Sequence, residues 1–143
     1  FVSEKAKVPG YYPDVVQEKA ARIGPLIMGT AGRAYRAGVP IAFGTDAGVF
    51  PHGDNGGEFA LMVQAGMPAA FTLQSATRNA AQLLGRWEEL GSITEGKLAD
   101  IVAVAGNPLE RIDLMRDVRF VMKEGVVYKG ELMGSGGPQA RAR

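Results

Sequence analysis

The sequence predicts an α/β protein whose two ends are built differently, and three observations carry that prediction. Apolar residues recur at helical spacing through 13–37 and again through 58–84. An apolar run at 39–43 stands directly before a glycine-rich loop, as a strand buried on both faces of a parallel sheet would. Beyond Gly91 the period shortens towards two, the pattern of an antiparallel sheet with one covered face.

The elements follow in order. Residues 1–12 lack periodicity. Pro13 suits the first helical position, because the N–H it lacks would be unbonded there anyway. The apolar stripe then runs through Val16, Ala20, Ile23, Ile27, Ala31, Ala34 and Tyr35. Gly24-Pro25 interrupts it, which predicts a kink or two abutting helices, and Gly38 ends it. Residues 39–43 read as a strand. A helix over 58–65 turns Phe59, Met62 and Val63 inward and stops at Gly66. Pro68 opens a further helix with Leu73, Ala76, Ala80, Leu83 and Leu84 on one face and Gly85 as its stop. In the second half, 92–93 reads as a short strand, 94–97 as a turn and 98–105 as a strand. Asn107-Pro108 with Glu110 resembles a capped helical turn carrying Leu109, Ile112 and Met115. Val118, Phe120 and Met122 alternate with Arg119 and Lys123. Glu124-Gly125 then turns the chain into a hairpin with 126–129. Residues 131–143, with Gly134, Gly136, Gly137 and Pro138, read as a flexible, weakly basic tail.

Composition narrows the classes. The chain has 143 residues, 46% hydrophobic and 22% charged, with a formal net charge of +1. Such a balance offers no electrostatic case for nucleic acid or an anionic membrane. No apolar run approaches the roughly 20 residues of a membrane helix. With no cysteine, disulfides and thiolate metal sites are excluded; the compartment stays open. The chain opens on Phe1, so the expectation is that its original N-terminus was removed or lies upstream.

The loop "GTDAGVFPHGDNGGE" at 44–58 holds five glycines and the only histidine. Asp46 follows the expected buried strand and precedes a helix. At the C-terminal ends of strands in α/β folds, a carboxylate can bind a metal or act as a general base. It can equally cap its own loop as an Asx-turn, and spacing alone leaves both open. His52, with Asp46 and Asp54, is too few ligands for a zinc site, so a substrate contact or a surface position fits it better. Gly53, Gly56 and Gly57 permit either close approach to a ligand or a tight turn. Elsewhere there is no phosphate loop and no nucleophile elbow, and Ser75 falls within a helix. Trp87, Glu88 and Glu89 read as a solvated helix exit. Arg78 and Asn79 read as hydrogen-bonding ties between helices, and Met62, Met67, Met115 and Met122 as core filling.

Four segments go beyond pattern. "AGVPIAFGTDAGVFPHG", "GMPAAFTLQSATRNAAQLLG", "LGSITEGKLADIVAVAGNPLERI" and "VMKEGVVYKG" resemble, in order and spacing, the C-terminal part of metal-dependent amidohydrolases. The resemblance covers roughly Lys19 to Gly130 and is nearest to the branch of prolidase-like Xaa-Pro dipeptidases and imidazolonepropionase-related enzymes. It implies the last units of a (β/α)8 barrel over 1–90 and strands of a flanking small β-sandwich over 91–130, with 41–43 the last barrel strand. It also implies that Asp46 binds a metal and serves as the general base. His52 matches a loop histidine that contacts substrate. The implied cofactor is a divalent metal, zinc, as one or two ions, and the implied substrate a small peptide or amide such as an Xaa-Pro dipeptide.

The departures matter equally. The family's other ligands are a His-x-His pair, a lysine or glutamate and two further histidines, all from earlier strands. His52 is the only histidine here, and a complete barrel needs roughly 250 residues. The expected partners are therefore the remainder of the same enzyme and a homo-oligomer. This chain by itself is expected to hold no binuclear metal and to be inactive. The second reading is a catalytically inactive fragment or assembly piece.

Overall fold

The computed structural model describes residues 5–48 and 51–130. The tail expected at 131–143 lies outside the described residues. Among the described residues, four α-helices of six residues or more come first: α1 (Asp14–Arg36), α2 (Gly57–Gln64), α3 (Ala69–Ala76) and α4 (Arg78–Leu83). A three-stranded antiparallel sheet follows, made of β1 (Ile101–Val104), β2 (Val118–Lys123) and β3 (Val126–Lys129) in the order β1-β2-β3. Two 3₁₀ turns, His52–Gly56 and Ile112–Arg116, precede α2 and β2.

The expected break at Gly24-Pro25 does not divide the first helix: α1 runs as a single 23-residue element with Pro25 inside it. Pro13 is its N-cap rather than its first residue. The covered face also differs from the expected stripe. Ala20, Gly24 and Gly32 are buried, whereas Val16 and Ile27 are exposed. The reason is distance: a Cβ at Gly32 would overlap the carbonyl oxygen of Ala65. Small residues let the backbone of α1 approach the end of α2, and that row becomes the contact row.

Helices α1, α2 and α4 end alike. Gly38, Gly66 and Gly85 each adopt a positive φ. After α1, the Gly38 N–H donates to Tyr35 and the Val39 N–H to Ala34, and the same pair of bonds recurs after α2 and α4. Each closes helical carbonyls that would otherwise lack donors, and glycine reaches the left-handed conformation at no steric cost. The single helix expected from Pro68 onward is two, separated at Thr77 with φ −123° and ψ −89°. Leu83 and Leu84, at helical spacing in the sequence, are 75% and 68% exposed.

The core gathers where α2, α3 and α4 meet. Phe59, Ala60, Met62, Met67 and Ala81 are buried, with Met67 only 2% exposed. Buried Ser75 donates its hydroxyl to the Thr72 carbonyl at 2.7 Å. Tyr35 of α1 meets Phe71 of α3 at 4.6 Å between ring centroids. Burying a side chain such as Phe59 contributes about 1.5–3 kcal/mol.

The strand expected at 39–43 is not paired: residues 39–47 carry no sheet assignment. An apolar run specifies an extended backbone, but a strand also needs a neighbour, and none stands beside this segment among the described residues. Its anchors are single. The Phe43 N–H donates to Ser75, Asn79 Nδ2 donates to the Ile41 carbonyl at 2.9 Å, and the Phe43 ring stacks on Phe59 at 4.5 Å.

In the second half, residues 92–93 form no strand, with Ile93 85% exposed. The strand expected over 98–105 contracts to Ile101–Val104. The hairpin forms as expected. Lys123 pairs with Val126, and Glu124 and Gly125 have φ of 49° and 80°, the two left-handed residues of a type I′ turn whose twist matches the strands. Asn107 holds the helical turn, accepting from the Leu109 N–H at 3.1 Å and donating to Glu110 at 3.0 Å.

Candidate active site

The extended segment 39–45 leads to Asp46 at the surface. Asp46 is exposed and its φ is 46°. Besides Glu124 of the hairpin turn, it is the other non-glycine residue with positive φ among the described residues. Holding an ordinary side chain there costs about 1–3 kcal/mol, and such strain gathers at functional sites. Aspartate tolerates the conformation better than most residues. The chain before it is anchored by Asn79 at Ile41 and by Ser75 at Phe43.

His52 begins the 3₁₀ turn and is exposed, as is Asp54. Residues 49 and 50, in the middle of the loop, lie outside the described residues. Among the described residues, no three His, Cys, Asp or Glu side chains gather as a metal cluster.

The loop's glycines resolve into separate roles. A Cβ at Gly53 would meet nothing within 4 Å. At Gly56 it would press on backbone, reaching the Met115 carbonyl carbon at 2.9 Å and Arg116 Cα at 3.0 Å. At Gly57 it would meet the Arg116 guanidinium at 2.7 Å. Both glycines thus stand against the Ile112–Arg116 turn. They let the 3₁₀ turn Ile112–Arg116 seat against the start of α2 and so buttress the turn that carries His52. No local signal could have paired Gly56 with Met115, because about 60 residues separate them in the chain.

A cleft of about 540 Å³ lies on the seam between helices and sheet, bordered by Phe43, Asn55, Phe59, Val104, Met115 and Arg116, among others. It does not include Asp46. The candidate carboxylate and this cleft are thus separate features of the surface. Asn55 belongs to both the loop and the cleft lining: its Oδ1 is buried without a hydrogen-bond partner, and no local pattern singles it out.

Arg78 and Trp87 take other roles than expected. The Lys97 ammonium lies 3.4 Å from the Trp87 ring centroid and donates to the carbonyls of Trp87 and Leu90, while Arg78 approaches the same ring at 5.8 Å. Trp87 is half-buried rather than a solvated exit. Nearby, the hydrogen bond that Arg86 donates to Glu89, followed by that carboxylate's charge, raises the Arg86 guanidinium above its ordinary value.

Comparison with known proteins supplies the family. The model of the amidohydrolase family matches residues 28–134. A crystal structure of a Xaa-Pro dipeptidase with methionine bound in its active site superposes with a TM-score of 0.82 at 52% identity, covering 91% of this chain and 32% of that one. Ochratoxinase of Aspergillus niger is 37% identical over 113 residues, 76% of this chain and 23% of its own length. Adenine deaminase 2 of Rhizobium meliloti is 37% identical over 99 residues, 66% of this chain and 15% of its own. The chain thus spans a third or less of the length of these relatives.

Proposed function

We propose that this chain, which belongs to the amidohydrolase family, forms one wall of an active site that hydrolyses a peptide or amide bond, with Xaa-Pro dipeptides as the substrate class. The observation that carries the reading is Asp46: a carboxylate held at a left-handed φ of 46°, at the end of an extended apolar segment. The 52% identity to a Xaa-Pro dipeptidase supports the substrate class. The same likeness supports reading 1–90 as the end of a (β/α)8 barrel, 41–43 as its last strand and 91–130 as part of a flanking β-sandwich.

In this reading Asp46 accepts a proton from the attacking water and returns it to the leaving amine, the general-base and general-acid halves of one role. Exposure at the loop tip leaves its carboxylate open to both partners. His52, on the far side of the loop, contacts the substrate. A divalent metal, with zinc the first choice, would polarise the carbonyl and lower the water's pKa when bound. Asp46 fits as a single ligand to such an ion. The described residues bring no further cluster to it, so the other ligands come from outside this chain.

The test is a chimera in which residues 1–130 replace the matching third of the Xaa-Pro dipeptidase. The expected result is Zn²⁺- or Mn²⁺-dependent cleavage of Xaa-Pro dipeptides, with Asp46→Asn lowering kcat about 10²–10⁴-fold at unchanged helicity. Turnover that survives Asp46→Asn removes Asp46 from the mechanism. Release of ammonia from adenine in place of dipeptide cleavage moves the substrate class towards the Rhizobium relative.

A further inference from the structure

Asn55 is the one asparagine that is followed by glycine. The other two, Asn79 and Asn107, precede Ala80 and Pro108. An asparagine can be attacked at its side-chain amide carbon by the backbone nitrogen of the next residue. Glycine, with no Cβ, obstructs that approach least, whereas proline has no N–H to give up. Yet Gly56 is held in place by packing, because a Cβ there would press on Met115 and Arg116 backbone at 2.9 and 3.0 Å. The contact that seats the loop therefore keeps its most reactive dipeptide.

The fold restrains that dipeptide in two ways. Asn55 lies in the 3₁₀ turn His52–Gly56, and the carbonyls of Asp54 and Asn55 accept from backbone N–H groups where the turn enters α2. At a 3₁₀ ψ of about −20 to −30° the next nitrogen points along the turn, away from the side-chain carbon. Attack requires ψ to rotate, which breaks those bonds. The second restraint is electrostatic. Charge in the tetrahedral intermediate falls on Oδ1, which is buried with no donor among the described residues, and a buried oxyanion without donors is disfavoured. Both restraints end if the Ile112–Arg116 turn lifts from Gly56. The Asn55 side chain also borders the cleft, a route for water in and ammonia out.

We propose that Asn55 is a deamidation site gated by the Ile112–Arg116 turn. When the turn lifts, the Gly56 nitrogen gives its proton to solvent base and bonds to Asn55 Cγ. The Cγ–Nδ2 bond breaks, and Nδ2 leaves as ammonia. Water then opens the cyclic imide. Attack at Cγ gives aspartate, and attack at the Asn55 backbone carbonyl gives isoaspartate, with one more carbon in the main chain. One water is consumed and one ammonia released. Either product carries a carboxylate where the buried oxygen had no donor, so the turn cannot reseat as before. The proposal is independent of the reaction assigned to Asp46.

The test incubates the 143-residue chain in mildly alkaline buffer and follows Asn55, Asn79 and Asn107 by peptide mass spectrometry. A parallel incubation in concentrated urea gives the rate in the unfolded chain. Conversion should be confined to Asn55 and at least tenfold slower in buffer than in urea, since closed segments react only through their openings. Met115→Ala, which loosens the turn, should speed conversion in buffer and leave the urea rate unchanged. Gly32→Ala, which disturbs α1 instead, should speed it less. In the unmutated chain, amide exchange where the turn joins α2 should be slowed by the same factor as deamidation, a comparison that stands even if Met115→Ala does not fold. Four results each overturn the proposal: no conversion of Asn55 in urea, equal rates in buffer and urea, equal acceleration by Gly32→Ala and Met115→Ala, or an exchange factor more than tenfold away from the deamidation factor.

Discussion

Replacing Gly56 by alanine should destabilise the chain, whereas the same change at Gly57 should not. Both glycines sit in ordinary helical conformations, with φ of −58° and −65°, so alanine strains neither backbone. Reduced freedom of the unfolded chain even favours alanine by about 0.4–1 kcal/mol. What differs is the neighbour. The new methyl at 56 would press on Met115 and Arg116 backbone at 2.9 and 3.0 Å, and backbone in a 3₁₀ turn can yield only by moving the turn. Overpacking of that kind costs about 1–3 kcal/mol. At 57 the obstacle is the tip of the Arg116 side chain, which is 49% exposed and free to swing into solvent. The two variants should therefore differ by about 2 kcal/mol, roughly 4–8 °C in Tm for a chain of this size. Thermal unfolding followed by far-ultraviolet circular dichroism measures the difference. In the chimera, Gly56→Ala should also lower kcat/KM, because displacing the turn moves His52. A Gly56→Ala chain that melts at or above Gly57→Ala would refute the claim that the Ile112–Arg116 turn buttresses the loop.

Three further outcomes follow from other contacts. Asp46→Gly should raise stability by about 1 kcal/mol by releasing the left-handed strain, while abolishing turnover of the chimera; a destabilised variant would mean the conformation is not strained. Lys97→Met removes bonds to Trp87 and Leu90 and a cation above the ring. It should cost about 1–3 kcal/mol and shift the emission of Trp87, the only tryptophan, with an unchanged spectrum and denaturation midpoint as the contrary result. Gly32→Ala should destabilise by about 1–3 kcal/mol through overlap with Ala65. Gly29→Ala on the same helix meets only the Arg33 side chain at 3.4 Å and should stabilise by up to about 1 kcal/mol; urea titration of the pair tests whether burial of a glycine row sets the α1 contact.

Much of this molecule is local, and what is local was legible. The stops at Gly38, Gly66 and Gly85, the Asn107 turn and the Glu124-Gly125 hairpin all follow from a few adjacent residues, because left-handed glycine and side-chain capping act within one turn of chain. Asp46 stood out for the same reason, as a carboxylate between an apolar run and a helix. The errors fell where the outcome depended on a distant partner. Leu83 and Leu84 carry the right period for a buried face, yet period does not supply a surface to cover them. The run at 39–43 is extended as expected, but pairing needs a second strand.

The sequence by itself determined the helix stops, the turns, the family resemblance and the candidate carboxylate at Asp46, since propensity, capping and spacing are properties of neighbouring residues. Only the tertiary structure decided which face of α1 is covered and that Gly56 and Gly57 stand against Met115 and Arg116. It alone set Trp87 beneath Lys97. These depend on close approach between segments far apart in the chain, where a single methyl or an unpaired backbone amide outweighs any local preference.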